Sequence, residues 1–102
     1  MGFNMKDLQK MQARMMKMQE DLQNSTFQGE SGGGAVMITM TGKYDVTAVK
    51  IDPEAVDAED ITLLEDLILT AFQDAFGKVN EAQQKMMMAM TGGMKLPPGM
   101  GF

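Results

Sequence analysis

The 102-residue chain has a formal net charge of −5 and contains neither cysteine nor histidine. That composition excludes a disulfide framework and thiolate metal sites, and it removes the commonest general base and metal ligand at neutral pH. The length suits one domain, whose modest core would gain from oligomerisation.

No apolar run is long enough to cross a bilayer. The N-terminal MGFNMKDLQKMQ lacks the apolar core of a signal peptide. The expectation is therefore a soluble, cytoplasmic protein. Any catalysis would fall to carboxylates or lysines, and no constellation of them assembles. The chain is expected not to be an enzyme, with no catalytic residue, cofactor, metal, membrane partner or small-molecule substrate.

The charge is unevenly spread. Residues 52–66 carry Asp52, Glu54, Asp57, Glu59, Asp60, Glu65 and Asp66 with no base, a net of −7, so the rest of the chain stands at +2. Residues 1–19 hold Lys6, Lys10, Arg14 and Lys17 against Asp7 alone, a net of +3. Such asymmetry says more about partners than the total does.

Residues 4–24 read as a helix. Leu8, Met11, Met15, Met18 and Leu22 follow the alternating three-four spacing of a coiled-coil seam. The seam covers only about two heptads, too short to stand alone, so it is expected to pack within the domain or a dimer. Lys6, Lys10, Arg14 and Lys17 fall within about 80° of one another on a different face, at about 100° per residue. A solvated polar face explains such a stripe. Phosphate binding explains it equally, because the stripe holds only bases and runs against the helix dipole, with Glu20 and Asp21 at the far end.

Phe27 to Ser31 reads as a short strand or edge segment, and Gly32-Gly33-Gly34 as a flexible joint. The triplet lacks the spacing of a nucleotide loop. Residues 35–41 and 44–51 alternate and are rich in β-branched residues, which predicts two strands. Gly42-Lys43 between them suits a two-residue hairpin turn. Val36, Ile38 and Met40 share one face of the first strand. On the second, Val46 and Ala48 oppose Val49 and Ile51, which predicts a sheet apolar on both faces that needs cover from a second helix or a partner subunit.

Asp52-Pro53 ends the strand, and Asp57 or Asp60 caps a helix running to about Met90. Its apolar face is Ile61, Leu64, Ile68, Phe72, Ala75, Val79, Ala82, Met86 and Met90. At 1.5 Å per residue the helix reaches about 45 Å, so its end should project or meet a partner. Lys78 and Lys85 share a face, each four residues after an acid, Asp74 and Glu81, which predicts intrahelical pairs. Met86-Met87-Met88 cannot all face inward, so some are expected to be exposed. The acidic stretch lacks the ligand pattern of a calcium loop, and helix-start charge and solubility account for it. Residues 1–91 thus form one α+β domain, and residues 92–102 a flexible tail rich in glycine and proline.

The stretch ITMTGKYDVTAVKIDPEAVDAEDITLLEDLILTAFQDA, followed by MTGGMKLPPGM, resembles the YbaB/EbfC nucleoid-associated proteins. The resemblance is carried by Ile51-Asp52-Pro53, Glu59-Asp60, Leu64 to Ile68, Asp74-Ala75, and Gly93, Leu96-Pro97 and Gly99 of the tail. It implies an α-β-β-β-α protomer in an intertwined homodimer with a combined sheet and protruding helices. It also implies binding of double-stranded DNA at the bacterial nucleoid, without enzymatic activity. The family's DNA contacts are basic residues of the first and last helices, which here correspond to Lys10, Arg14 and Lys17 and to Lys78 and Lys85; Lys6 extends the first set. The chain departs from the pattern in being acidic. Two other functions fit the residues: a prefoldin-like holdase using methionine-rich helices, and an adaptor using the acidic 52–66 surface.

Overall fold

The structure, a computed structural model, describes residues 4–90, and the expected tail at 92–102 lies outside the described residues. The element order is α1 (Met5–Asn24), β1 (Thr26–Ser31), β2 (Val36–Thr41), β3 (Val46–Ile51), a 3-10 turn (Pro53–Ala55) and α2 (Ile61–Met90). This is the α-β-β-β-α, α+β fold that the sequence predicts. The three strands form one antiparallel sheet in the order β1-β2-β3.

α2 crosses one face of that sheet. Val36, Ile38 and Met40 of β2 and Ala71, Ala75 and Val79 of α2 are the buried core. The closeness of the approach comes from small residues. A Cβ on Gly29 of β1 would overlap the backbone of Ala71 and Ala75 and lie 2.7 Å from the Ala75 Cβ. Ser31 is buried, and its hydroxyl donates to the Leu67 carbonyl, so the end of β1 is tied to the helix as well.

The apolar face of α2 is the predicted one at Leu64, Ile68, Ala75, Val79, Ala82 and Met86, and departs from it in the N-terminal half of the helix. Ala71 is fully buried, while Ile61 and Phe72 are 49% and 39% exposed. The helix settles on its alanines because they, and not the bulky residues beside them, allow backbone contact with Gly29. Asp60 caps α2 by accepting from the Leu63 amide at 3.2 Å. Asp52 and Asp57 likewise accept from the amides of Glu54 and Glu59, so acids of this stretch serve local turns.

Three expectations about the sheet need correction. Gly32, Gly33 and Gly34 are not a loose joint but the turn between β1 and β2. All three have positive φ, 61°, 68° and 94°, which makes glycine the residue for this reversal.

The β2–β3 hairpin is not the two-residue turn expected at Gly42-Lys43. Thr41 accepts from the Tyr44 amide at 2.9 Å and donates to the Asp45 carbonyl at 2.8 Å, which closes a three-residue loop. Tyr44 holds its left-handed position, φ 68°, where glycine is usual.

The sheet is also not apolar on both faces in the way the alternation suggested. The register shifts between Thr39, which pairs with Ala48, and Met40, which pairs with Val46, so Thr47 is an extra residue in β3. The bulge brings Val46 to the side of Val49 and Ile51, opposite Met40, Ile38 and Val36. The apolar residues of β3 therefore join the helix face of the sheet, with Ala48 on the other side.

Candidate nucleic-acid interface

α1 begins at Asn4, whose side chain accepts from the Asp7 amide at 2.9 Å. It ends where the Ser25 amide donates to the Leu22 carbonyl at 3.1 Å and the Ser25 hydroxyl to the Asp21 carbonyl at 2.7 Å. No base lies in its last turn and Asp7 is the acid of its first. No residue of α1 is buried. The seam is covered only toward its end. Leu8 and Met11 are both 48% exposed, whereas Met18 and Leu22 are half-buried.

Lys6, Lys10, Arg14 and Lys17 are all exposed. Among the described residues none of them forms an ion pair. The angular spacing puts their stripe roughly opposite Gln19, Leu22 and Gln23, which line the cleft between α1 and α2. The stripe thus faces outward, away from the rest of the protomer. An array of uncompensated, solvated cations with this geometry attracts closely spaced phosphates and carries no means of reading bases beyond Arg14.

Lys78 and Lys85 differ. Lys78 lies 3.6 Å from Asp74 and Lys85 3.3 Å from Glu81, the intrahelical pairs that the spacing predicts. The Lys78 ammonium also donates to the Gln28 carbonyl at 2.7 Å, which fastens β1 to α2. The structure therefore gathers four of the six sequence-predicted bases on one helix face and gives the other two local partners.

Sequence reasoning passed over Lys43 and Lys50. Lys43 stands exposed on the β2–β3 turn at the mouth of the α1–α2 cleft, and Lys50 is exposed on β3. A single base in a turn or strand produces no periodic stripe, so spacing offers no signal for it. Near the far end of α2, Met87 and Met88 are 63% and 71% exposed, as the methionine run predicts.

A second surface lies along β3. Val46, Val49, Leu69, Phe72 and Phe76 are between 39% and 55% exposed. The first four of these line an apolar groove beside Ile38, Ile68 and Glu65. Among the described residues, the outer edge of β3 has no neighbouring strand.

Known proteins give these features a context. A relative from Rhodopseudomonas palustris (strain BisB18), named nucleoid-associated protein, is 45% identical over 98 residues, covering 96% of this chain and 93% of its own. The crystal structure of the uncharacterized protein HP0035 from Helicobacter pylori has the same fold, with a TM-score of 0.72 at 20% identity, covering 89% of this chain and all of the other. The YbaB/EbfC DNA-binding family matches residues 1–94. No helix among the described residues is long and apolar enough to cross a membrane. By sequence and by the extent of the match, the chain belongs to the YbaB/EbfC DNA-binding family.

Proposed function

We propose that the protein is a nucleoid-associated DNA-binding protein of the cytoplasm that grips the duplex backbone through α1. The observation that carries this reading is the exposed row Lys6, Lys10, Arg14 and Lys17, none of which has an ion-pair partner among the described residues. Lys78 and Lys85 contribute less, because Asp74 and Glu81 already neutralise part of their field. The family membership supports DNA as the ligand and a non-enzymatic role. Phosphate contact positions a protein without specifying sequence, so any preference would come from the shape and stiffness of the DNA.

The working unit of this reading is a homodimer that organises the nucleoid or regulates genes there. The free edge of β3 and the apolar residues beside it supply what a second copy of the chain would cover. Sedimentation at micromolar concentration is expected to give twice the 11.2 kDa chain mass. A monomer would remove the second copy of α1 from the reading.

The decisive experiment is binding to a random-sequence duplex over a series of salt concentrations. About four to six phosphate contacts per dimer give a slope of log affinity on log salt of about −3.6 to −5.4. Binding that is absent, or indifferent to salt, would end the backbone-contact reading.

A further inference from the structure

The β2–β3 turn touches both helices, and its glycine is not there for the turn. Gly42 is buried and has none of the positive φ found at the other turn glycines, so its backbone suits any residue. What excludes a side chain is α1. A Cβ on Gly42 would overlap the Leu22 carbonyl oxygen and lie 2.6 Å from its carbonyl carbon. The Gly42 amide also donates to the Ser25 carbonyl at 3.1 Å, across the single residue that joins α1 to β1.

The same turn is bound to α2 from the other side. Gln83 donates from its amide nitrogen to the Gly42 carbonyl at 3.0 Å. The Tyr44 hydroxyl donates to the side-chain oxygen of Gln83 at 3.2 Å, and the Tyr44 ring lies 4.8 Å from that of Phe76. These contacts explain why a tyrosine stays in a left-handed conformation that costs energy. α1 has no buried residue of its own, and its half-buried Met18 and Leu22 lie toward this joint.

We propose that Gly42, Tyr44 and Gln83 form a bracket that sets the inclination of α1, and that they are thereby positioning residues for DNA binding. The second half rests on the α1 reading above; the first does not. A lever explains the effect. α1 has 20 residues, about 30 Å at 1.5 Å per residue, so a tilt of about 10° at Gly42 moves its free end by about 5 Å. That displacement approaches the spacing of successive phosphates along one strand, and it takes the leading bases of the stripe out of register.

The test combines a distance and a coupling. The chain has no cysteine, so spin labels attached to Ala13→Cys and Gln84→Cys report the α1–α2 separation cleanly when labelled chains are diluted into unlabelled ones. Gly42→Ala is expected to shift that distance by several ångströms and weaken duplex binding about tenfold. Gln83→Ala, which removes the bracket without adding bulk, is expected to broaden the distance and weaken binding several-fold, and it serves if Gly42→Ala fails to fold. Tyr44→Phe keeps the ring contact and should broaden it least.

The coupling separates aiming from general damage. In a Lys6→Gln/Lys10→Gln background, Gly42→Ala should cause little further loss of affinity, because the leading bases it misdirects are already gone. An unchanged distance in both Gly42→Ala and Gln83→Ala would overturn the bracket. An equal affinity loss in both backgrounds would overturn its role in DNA binding. If the parent itself does not bind duplex, the α1 reading falls and the distance alone judges the joint.

Discussion

α1 and the middle of α2 are both amphipathic helices with a side chain capping the N-terminus, yet they occupy opposite conditions. Between Leu64 and Val79, α2 lies on the sheet with three fully buried small residues, and its lysine there is paired with an acid and bonded to a strand. α1 has no fully buried residue, leaves much of its apolar seam in solvent, and carries four bases with no ion pair among the described residues. Amphipathic spacing is common to both. The difference is whether the apolar side is small enough to let another backbone approach, as Ala71 and Ala75 do for Gly29. One helix is thereby committed to the fold, and the other is available to a partner.

The sharpest way to break this contrast is at the point of closest approach. Gly29→Val forces a branched side chain into the backbone of Ala71, and sheet and helix must separate to admit it. Overpacking of this kind costs about 3 kcal/mol or more. Thermal or denaturant unfolding should show a collapse of cooperative stability, and a near-native transition would refute the account of the core.

Val79→Ala is gentler. It removes two methyl groups at a fully buried position. At about 0.8 kcal/mol per group plus the cavity left behind, it should cost about 2 kcal/mol, read as a lower denaturant midpoint with unchanged slope.

The mirror-image change on α1 should leave the fold alone. Arg14→Gln with Lys17→Gln removes exposed charges that touch neither core nor cap, so stability should stay within about 0.5 kcal/mol. Duplex affinity should fall about tenfold, about 1.4 kcal/mol, and the salt slope should flatten by about 0.9 for each lost contact. Unaltered affinity and slope would remove α1 from the interface.

The smallest effects belong to the paired lysines. Lys78→Gln loses an exposed ion pair and the bond to the Gln28 carbonyl, worth about 1 kcal/mol of stability together, while Lys85→Gln should be close to neutral. The double variant should weaken DNA binding less than the α1 pair does. A larger loss would place the main contact on α2.

Much of the architecture was legible because it depends on local signals. The seam spacing marked α1, the β-branched alternation marked β2 and β3, and Asp57 or Asp60 before the apolar run marked the start of α2, where the structure uses Asp60. The basic stripe of the candidate site was legible for the same reason, since four charges on one helix share a face whatever the helix touches. The intrahelical pairing of Lys78 and Lys85 was legible too, being a matter of four-residue spacing.

What eluded sequence reasoning depends on a neighbour far along the chain. Gly42 looked like a turn residue and is a contact residue; Tyr44 looked like the first residue of a strand and takes the turn position. Thr47 gave no sign of a bulge, although the bulge moves Val46 to the other face of the sheet.

By itself, then, the sequence determined the kinds and order of elements and the faces that helices present, because helical and strand periodicities are properties of consecutive residues. Only the tertiary structure decided which face is buried, where the hairpin closes and in which direction α1 leaves the sheet. Those outcomes turn on backbone-to-backbone distances between Gly29 and Ala71 and between Gly42 and Leu22, pairs that lie far apart in the chain and meet only when it folds.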